Sequence, residues 1–123
     1  KDFQLVEEDT LVQLGGNAVV FWNTTNNSKD YIWSDRNGFS CVTTNHQRNL
    51  VAAAEYGLNP ECYIYQMPSK DLISKFKMNT TIKTEGMAFS RDGKYLLMIG
   101  SLPDFRISIY NLELGEMLLL PDE

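Results

Sequence analysis

Apolar residues along this chain fall into short runs separated by Gly, Asn, Asp and Pro, a pattern that predicts strands and turns throughout. Over residues 81–123 the runs are Gly86–Ser90, Tyr95–Gly100, Arg106–Tyr110 and Glu116–Leu120. Arg91-Asp92-Gly93 turns the first into the second, because glycine supplies the positive φ of a tight turn, and Leu114-Gly115 turns the third into the fourth. Over 37–80 the runs are Phe39–Thr44, Leu50–Glu55, Cys62–Gln66 and Leu72–Lys77, connected through Asn45–Asn49, Gly57–Pro60 and Pro68-Ser69. Over 1–36 they are Phe3–Glu7, Thr10–Leu14, Ala18–Asn23 and Tyr31–Ser34. Gly15-Gly16 lacks a Gly-x-Gly-x-x-Gly frame and a following helix, so it reads as a hairpin turn and not as a phosphate cradle. Asp71–Met78 could be forced into two helical turns, but Ile73 and Phe76 equally suit a strand. The expectation is an all-β chain.

The runs repeat. A shift of 45 residues lays Val42–Tyr65 on Met87–Tyr110 without a gap, so that Ile64-Tyr65 meets Ile109-Tyr110. The first third joins the frame once its loops are shortened, with Phe21-Trp22-Asn23 in the place of Ile64-Tyr65-Gln66 and Ile109-Tyr110-Asn111. Four short strands at a period of roughly 40–45 residues describe one propeller blade. The chain is therefore read as a WD40-like β-propeller fragment of about three four-stranded antiparallel blades, over 1–36, 37–80 and 81–123. One blade cannot bury both of its faces, and three leave two apolar faces open. The fragment is expected to need further blades, or another chain, to be stable.

Composition narrows the function classes. The chain is 43% apolar and 22% charged with a net charge of −5, an ordinary globular balance. No Lys/Arg cluster offers a nucleic-acid or anionic-membrane surface, and no apolar run approaches the ~20 residues of a membrane span. The chain opens Lys1-Asp2-Phe3, without Met or a signal peptide, and is expected to come from inside a longer protein. Cys41 and Cys62 fall at alternating strand positions, as small buried hydrophobes do. The sequons at Asn23, Asn26 and Asn79 read as turn chemistry.

Candidate chemistry is sparse. His46 sits on a hairpin tip with no Cys or carboxylate at ligand spacing, and Cys41 lies in a strand that ends before it, so the two make no dyad. No Gly-x-Ser-x-Gly elbow occurs. Glu7-Glu8-Asp9 and Asp122-Glu123 are consecutive acids that point apart in solvated turns. Trp22, Tyr65 and Tyr110 recur at matched positions, which indicates packing between blades rather than a ligand box. A lactonase-like propeller enzyme needs acidic groups on its channel-side strands, read here as Val42–Thr44 and Met87–Phe89, which have none. No catalytic, cofactor-binding or metal residue is assigned, no cofactor is expected, and the chain is read as no enzyme. What remains is surface: the loops Leu58–Glu61, Leu102–Phe105 and Thr24–Asp30, stiffened by Pro60 and Pro103, where Leu102 and Phe105 either anchor a partner or tuck under the next blade.

A resemblance sharpens this. Trp22-Asn23, Tyr65-Gln66 and Tyr110-Asn111 occupy the place of the Trp-Asp dipeptide of WD repeats, and Phe89–Tyr95 looks like their first hairpin, though the Gly-His dipeptide is missing. Leu11–Val20, Ala54–Ser69 and Gly100–Leu112 resemble the opening propeller of the paired cilia- and flagella-associated WD-repeat proteins forty-three and forty-four, with Ala54–Ser69 inclining towards forty-four. The resemblance implies a scaffold in the axoneme, partnered by other proteins of the complex that tethers an inner-arm dynein to the doublet microtubule. The competing expectation is a WD-like interaction scaffold in another cytoplasmic complex.

Overall fold

Twelve strands make up the described part of the chain, in three separate four-stranded antiparallel sheets. The computed structural model describes residues 4–6, 9–15, 17–34, 38–57, 59–77, 84–100 and 107–119. Sheet 1 holds β1 (Gln4–Val6), β2 (Thr10–Gly15), β3 (Ala18–Asn23) and β4 (Ser28–Trp33). Sheet 2 holds β5 (Phe39–Asn45), β6 (Leu50–Glu55), β7 (Glu61–Gln66) and β8 (Asp71–Lys77). Sheet 3 holds β9 (Thr84–Phe89), β10 (Tyr95–Gly100), β11 (Ile107–Asn111) and β12 (Glu116–Leu119). Each is a simple meander in chain order. The first strands β1, β5 and β9 pack side by side, so the sheets converge on that edge and splay towards their fourth strands, as blades do around an axis.

The repeat holds at the level of hydrogen-bond register. Leu50 pairs with Gln66 and Val51 with Tyr65, while 45 residues on Tyr95 pairs with Asn111 and Leu96 with Tyr110. Even the irregularities coincide: β5 bulges at Ser40 and β9 at Glu85, the equivalent residue. The third-to-fourth strand turn is the same in all three sheets. Asn23, Gln66 and Asn111 each pair across a four-residue loop, and the fourth loop residue is left-handed: Asn27 (φ 58), Lys70 (φ 65) and Gly115 (φ 68). The polar residue ending the third strand builds that turn. Asn23 Oδ1 accepts from the Thr25 and Asn26 amides at 3.0 and 3.2 Å, and Asn111 Oδ1 from the Leu114 amide at 3.0 Å. Sheet 2 has five residues between its second and third strands and sheet 1 has two, which is one source of the shorter first repeat.

Two cores alternate with the sheets. Val6, Val12, Val19 and Phe21 of sheet 1 meet Phe39, Val51, Ala53 and Met67 of sheet 2. Leu50, Ala52, Cys62 and Ile64, from the opposite face of sheet 2, meet Leu96, Met98 and Tyr110 of sheet 3. β6 is thus buried on both faces along its whole length, which explains its unbroken apolar run. Each fully buried aliphatic side chain here contributes roughly 1.5–3 kcal/mol.

Two strand starts differ from the sequence reading by more than one residue. β4 begins at Ser28 rather than Tyr31, because the four-residue turn closes at once and the exposed edge residues Ser28, Lys29 and Asp30 carry no apolar signal. β9 begins at Thr84 rather than Gly86, since the bulge lets pairing continue past Glu85. Glu85 therefore lies on a first strand, which the shorter reading had left without an acid.

Candidate interaction surfaces

The seams between sheets carry the side chains that lock the fragment's geometry. At the second seam Asn45 Nδ2 donates to the carbonyls of Ser90 and Arg91 at 2.9 and 3.2 Å, while its Oδ1 accepts from the Arg48 amide at 2.8 Å. Towards the other end of β5, the Thr84 amide donates to Ser40 Oγ at 3.2 Å, so the bulge residue of one sheet holds the first residue of the next. On the outer side, Tyr110 stacks on Phe76 with ring centroids 3.8 Å apart and shares a 3.0 Å hydrogen bond with Ser74. The first seam is bridged by Thr44 Oγ1 to the Leu5 carbonyl at 3.2 Å and by Lys70 Nζ to Asp30 Oδ2 at 2.8 Å. That ion pair spans a polar cleft of about 130 Å³ between Phe21, Asn23, Met67 and Pro68.

The three recurring aromatics have different surroundings. Tyr110 packs between sheets 2 and 3, and Tyr65 is half-buried on the face of sheet 2 turned to sheet 1. Trp22 lies on the outer face of sheet 1, its Nε1 donating to Asn27 Oδ1 at 3.0 Å and Lys29 Nζ 5.6 Å from its ring. Tyr31 and Trp33 stack on the same face at 5.5 Å.

The titratable groups sit as follows. His46 is exposed in the 46–49 turn. Asp9 receives the Thr25 hydroxyl at 3.2 Å and the Asn23 amide at 3.4 Å, which ties the two turns of sheet 1 together; Glu7, Glu8, Asp122 and Glu123 lie outside the described residues. Cys62 is buried and burial pushes its thiol far up from the usual range. Burial also raises Cys41, against backbone hydrogen bonds from Met87 and Val42 that lower it. The Lys94 amide and the Ser90 hydroxyl hold Asp92 below its ordinary value in the 91–94 turn. Among the described residues no three His, Cys, Asp or Glu side chains converge as metal ligands do.

One cluster gave no signal in the sequence. Glu55 is 1% exposed, its Oε1 accepts from the Glu61 amide at 3.1 Å, and the Tyr63 hydroxyl lies 3.2 Å from both Glu55 Oε2 and Glu61 Oε1. Glu55 thereby fastens the 56–60 loop to the end of β6, with Gly57 (φ 118) and Asn59 (φ 52) shaping it. An acid ending an apolar run carries no mark of burial in the sequence. Of the three candidate loops, Thr24–Asp30 is exposed, a turn over 24–27 that continues into β4 over 28–30, and Asn59–Glu61 is described, while Leu58 and Leu102–Phe105 lie outside the described residues. Asn79 lies outside them as well, whereas Asn23 and Asn26 both cap their turn.

Three splayed four-stranded meanders joined through their first strands define a β-propeller fragment. The crystal structure of the tricorn protease shares this fold, with a TM-score of 0.73 and 15% sequence identity over 97% of this chain and 11% of that one. The family model of the CFAP43 N-terminal domain matches residues 3–120, and the chain belongs to that family. It is 27% identical over 118 residues to the mouse cilia- and flagella-associated protein 43, covering 96% of this chain. It is 24% identical over 110 residues to the mouse cilia- and flagella-associated protein 44, covering 89%, and 23% identical over 111 residues to the Xenopus laevis protein 43, covering 90%. The chain spans only 6–7% of the length of these relatives.

Proposed function

We propose that this chain is a non-catalytic scaffold segment of a ciliary or flagellar axonemal protein, a divergent WD-repeat propeller that holds other proteins in place. The observation that carries the reading is the match of residues 3–120 to a family whose relatives are named for cilia and flagella. The structure is compatible with such a role: the polar side chains of Asn45, Asp9 and Glu55 are engaged in turns and seams. The finer reading is membership of the complex that tethers an inner-arm dynein to the doublet microtubule, with dynein or tether subunits as partners. The test is the position of the tagged full-length protein in ciliated cells before and after detergent and salt extraction. Retention on the demembranated axoneme, released only by high salt, is the expected result. A diffuse cytosolic or nuclear pool absent from cilia overturns it, leaving a scaffold of another cytoplasmic complex.

A further inference from the structure

Three cations that stand far apart in the chain meet on two adjacent turns. Arg48 belongs to the 46–49 turn of sheet 2, and Arg91 and Lys94 belong to the 91–94 turn of sheet 3. Asn45 ties these turns together, since its Oδ1 accepts from the Arg48 amide at 2.8 Å and its Nδ2 donates to the Arg91 carbonyl at 3.2 Å. One buried side chain thus fixes the backbone of both arginines. The Arg48 stem then lies on the neighbouring turn, where a Cβ at Gly93 would come within 2.6 Å of its Cδ. Lys94 is held from the far side, its carbonyl accepting the Leu112 amide at 2.8 Å. The charge of this patch is unbalanced. Arg48 and Arg91 are exposed and Lys94 is half-buried, and among the described residues none of the three forms an ion pair. Asp92, the one acid on the two turns, already receives the Ser90 hydroxyl at 2.7 Å and the Lys94 amide at 3.0 Å on its Oδ1. The chain as a whole carries −5, so the patch is a local reversal of sign. Acids bound it on both sides, Asp9 in sheet 1 and Glu113 and Glu116 at the 112–115 turn of sheet 3.

We propose that these two turns are a docking site for a short acidic peptide segment of a partner protein, its carboxylates received by Arg48, Arg91 and Lys94. The proposal stands on the geometry of the seam and not on the ciliary reading. Guanidinium groups take carboxylates through paired, charge-assisted hydrogen bonds, which a lysine alone does not offer. A cation whose stem is already packed, as that of Arg48 is on Gly93, loses little freedom when the ligand arrives. The flanking acids set the length of the ligand. A long polyanion such as a nucleic acid strand would have to run past Asp9 or past Glu113 and Glu116, whereas a segment with a few carboxylates fits between them.

Zero-length carbodiimide coupling on the full-length protein tests this, with a short peptide of alternating Glu and Gly as the probe. The reagent joins a seated carboxylate to the Lys94 amine, and peptide mass spectrometry reads the yield against Lys75, which is exposed on β8. The expected outcome is coupling at Lys94 on the order of 10-fold above Lys75, falling to the Lys75 level when Arg48→Gln and Arg91→Gln are combined. Arg91→Gln alone leaves the packing of Arg48 on Gly93 untouched and serves as the second variant should the pair fail to fold. It is expected to lower coupling by about 3-fold. Equal coupling at Lys94 and Lys75 in the wild-type protein, or coupling that the variants leave unchanged, overturns the proposal. Protection of Lys94 by a single-stranded oligonucleotide at lower concentration than the peptide assigns the patch to nucleic acid and overturns it equally.

Discussion

Asn45 and Ser90 occupy the same place in consecutive repeats, and the side-chain amide of the first donates at 2.9 Å to the backbone carbonyl of the second. One residue thus closes its own hairpin turn through Oδ1 and grips the next sheet through Nδ2. Asn45 is 6% exposed, so its own amide group lies where water reaches it poorly, and both of its contacts to the carbonyls are part-buried.

Replacing Asn45 separates these duties. Asn45→Ala is expected to cost about 1–3 kcal/mol through unpaired polar groups at the seam. Asn45→Asp is expected to be worse than alanine, because it keeps the acceptor for the Arg48 amide but sets a carboxylate oxygen against two carbonyls. Native-state hydrogen exchange of β5 and β9 in the intact protein reads both; equal effects in the two variants would show that the Nδ2 contact carries no weight.

Gly93 is irreplaceable for two reasons that can be told apart. Its φ is 75, and a Cβ there would come within 2.6 Å of Arg48 Cδ. Gly93→Ala is expected to destabilise by roughly 1–2 kcal/mol from the backbone alone, plus the displacement of Arg48. In an Arg48→Ala background only the backbone part should remain. A double-mutant cycle measures the difference; strict additivity would mean that Arg48 swings away freely.

Tyr110 joins sheets 2 and 3 by stacking and by a hydroxyl. Tyr110→Phe removes only the bond to Ser74 and should cost about 1 kcal/mol, whereas Tyr110→Ala should cost about 3–5 kcal/mol by opening a cavity against Phe76. A loss for Phe as large as that for Ala would put the weight on the hydroxyl instead.

Alkaline pH should loosen the fold in two stages. Burial keeps the Cys62 thiol protonated well above its ordinary 9.0. Burial first, and the Glu55 carboxylate second, keep the Tyr63 phenol protonated above its ordinary 10.0. The unfolded chain releases both protons at the ordinary values and the folded chain retains them. Stability is therefore complete below about pH 9 and falls as pH rises towards the folded values. Cys62→Ala should reduce the slope from about pH 9 upward, with Cys41, raised from the same ordinary value, supplying the remainder, and Tyr63→Phe should reduce it above 10.0. Unchanged slopes in a denaturation series across this range would contradict the assignment.

The three blades were legible because burial dictates the apolar runs: β6 and β10 are unbroken since both faces are made for packing, and β6 and β10 fell within their read limits. Polar edges were less legible, since Ser28–Asp30 extends β4 through backbone pairing alone, without any side-chain pattern. Contacts between repeats were not legible. Asn45 looked like turn chemistry, which it is, but its second role depends on which sheet folds beside it. Glu55 is the sharpest example: a carboxylate at the end of an apolar strand is ordinary until a loop closes over it and makes it a buried acceptor.

The identical third-to-fourth strand turns have a consequence for how such a molecule can diversify. All three close in four residues of which the last is left-handed, at one end of the sheets, while the second-to-third connection at the opposite end spans two residues in sheet 1 and five in sheet 2. The two ends are therefore not equally free to change. One is constant architecture, in which a length change breaks the hairpin, and the other can be rewritten blade by blade without disturbing a single strand pair. A partner that tells one blade from another has its vocabulary at the second end, and variation between paralogues is expected to gather there.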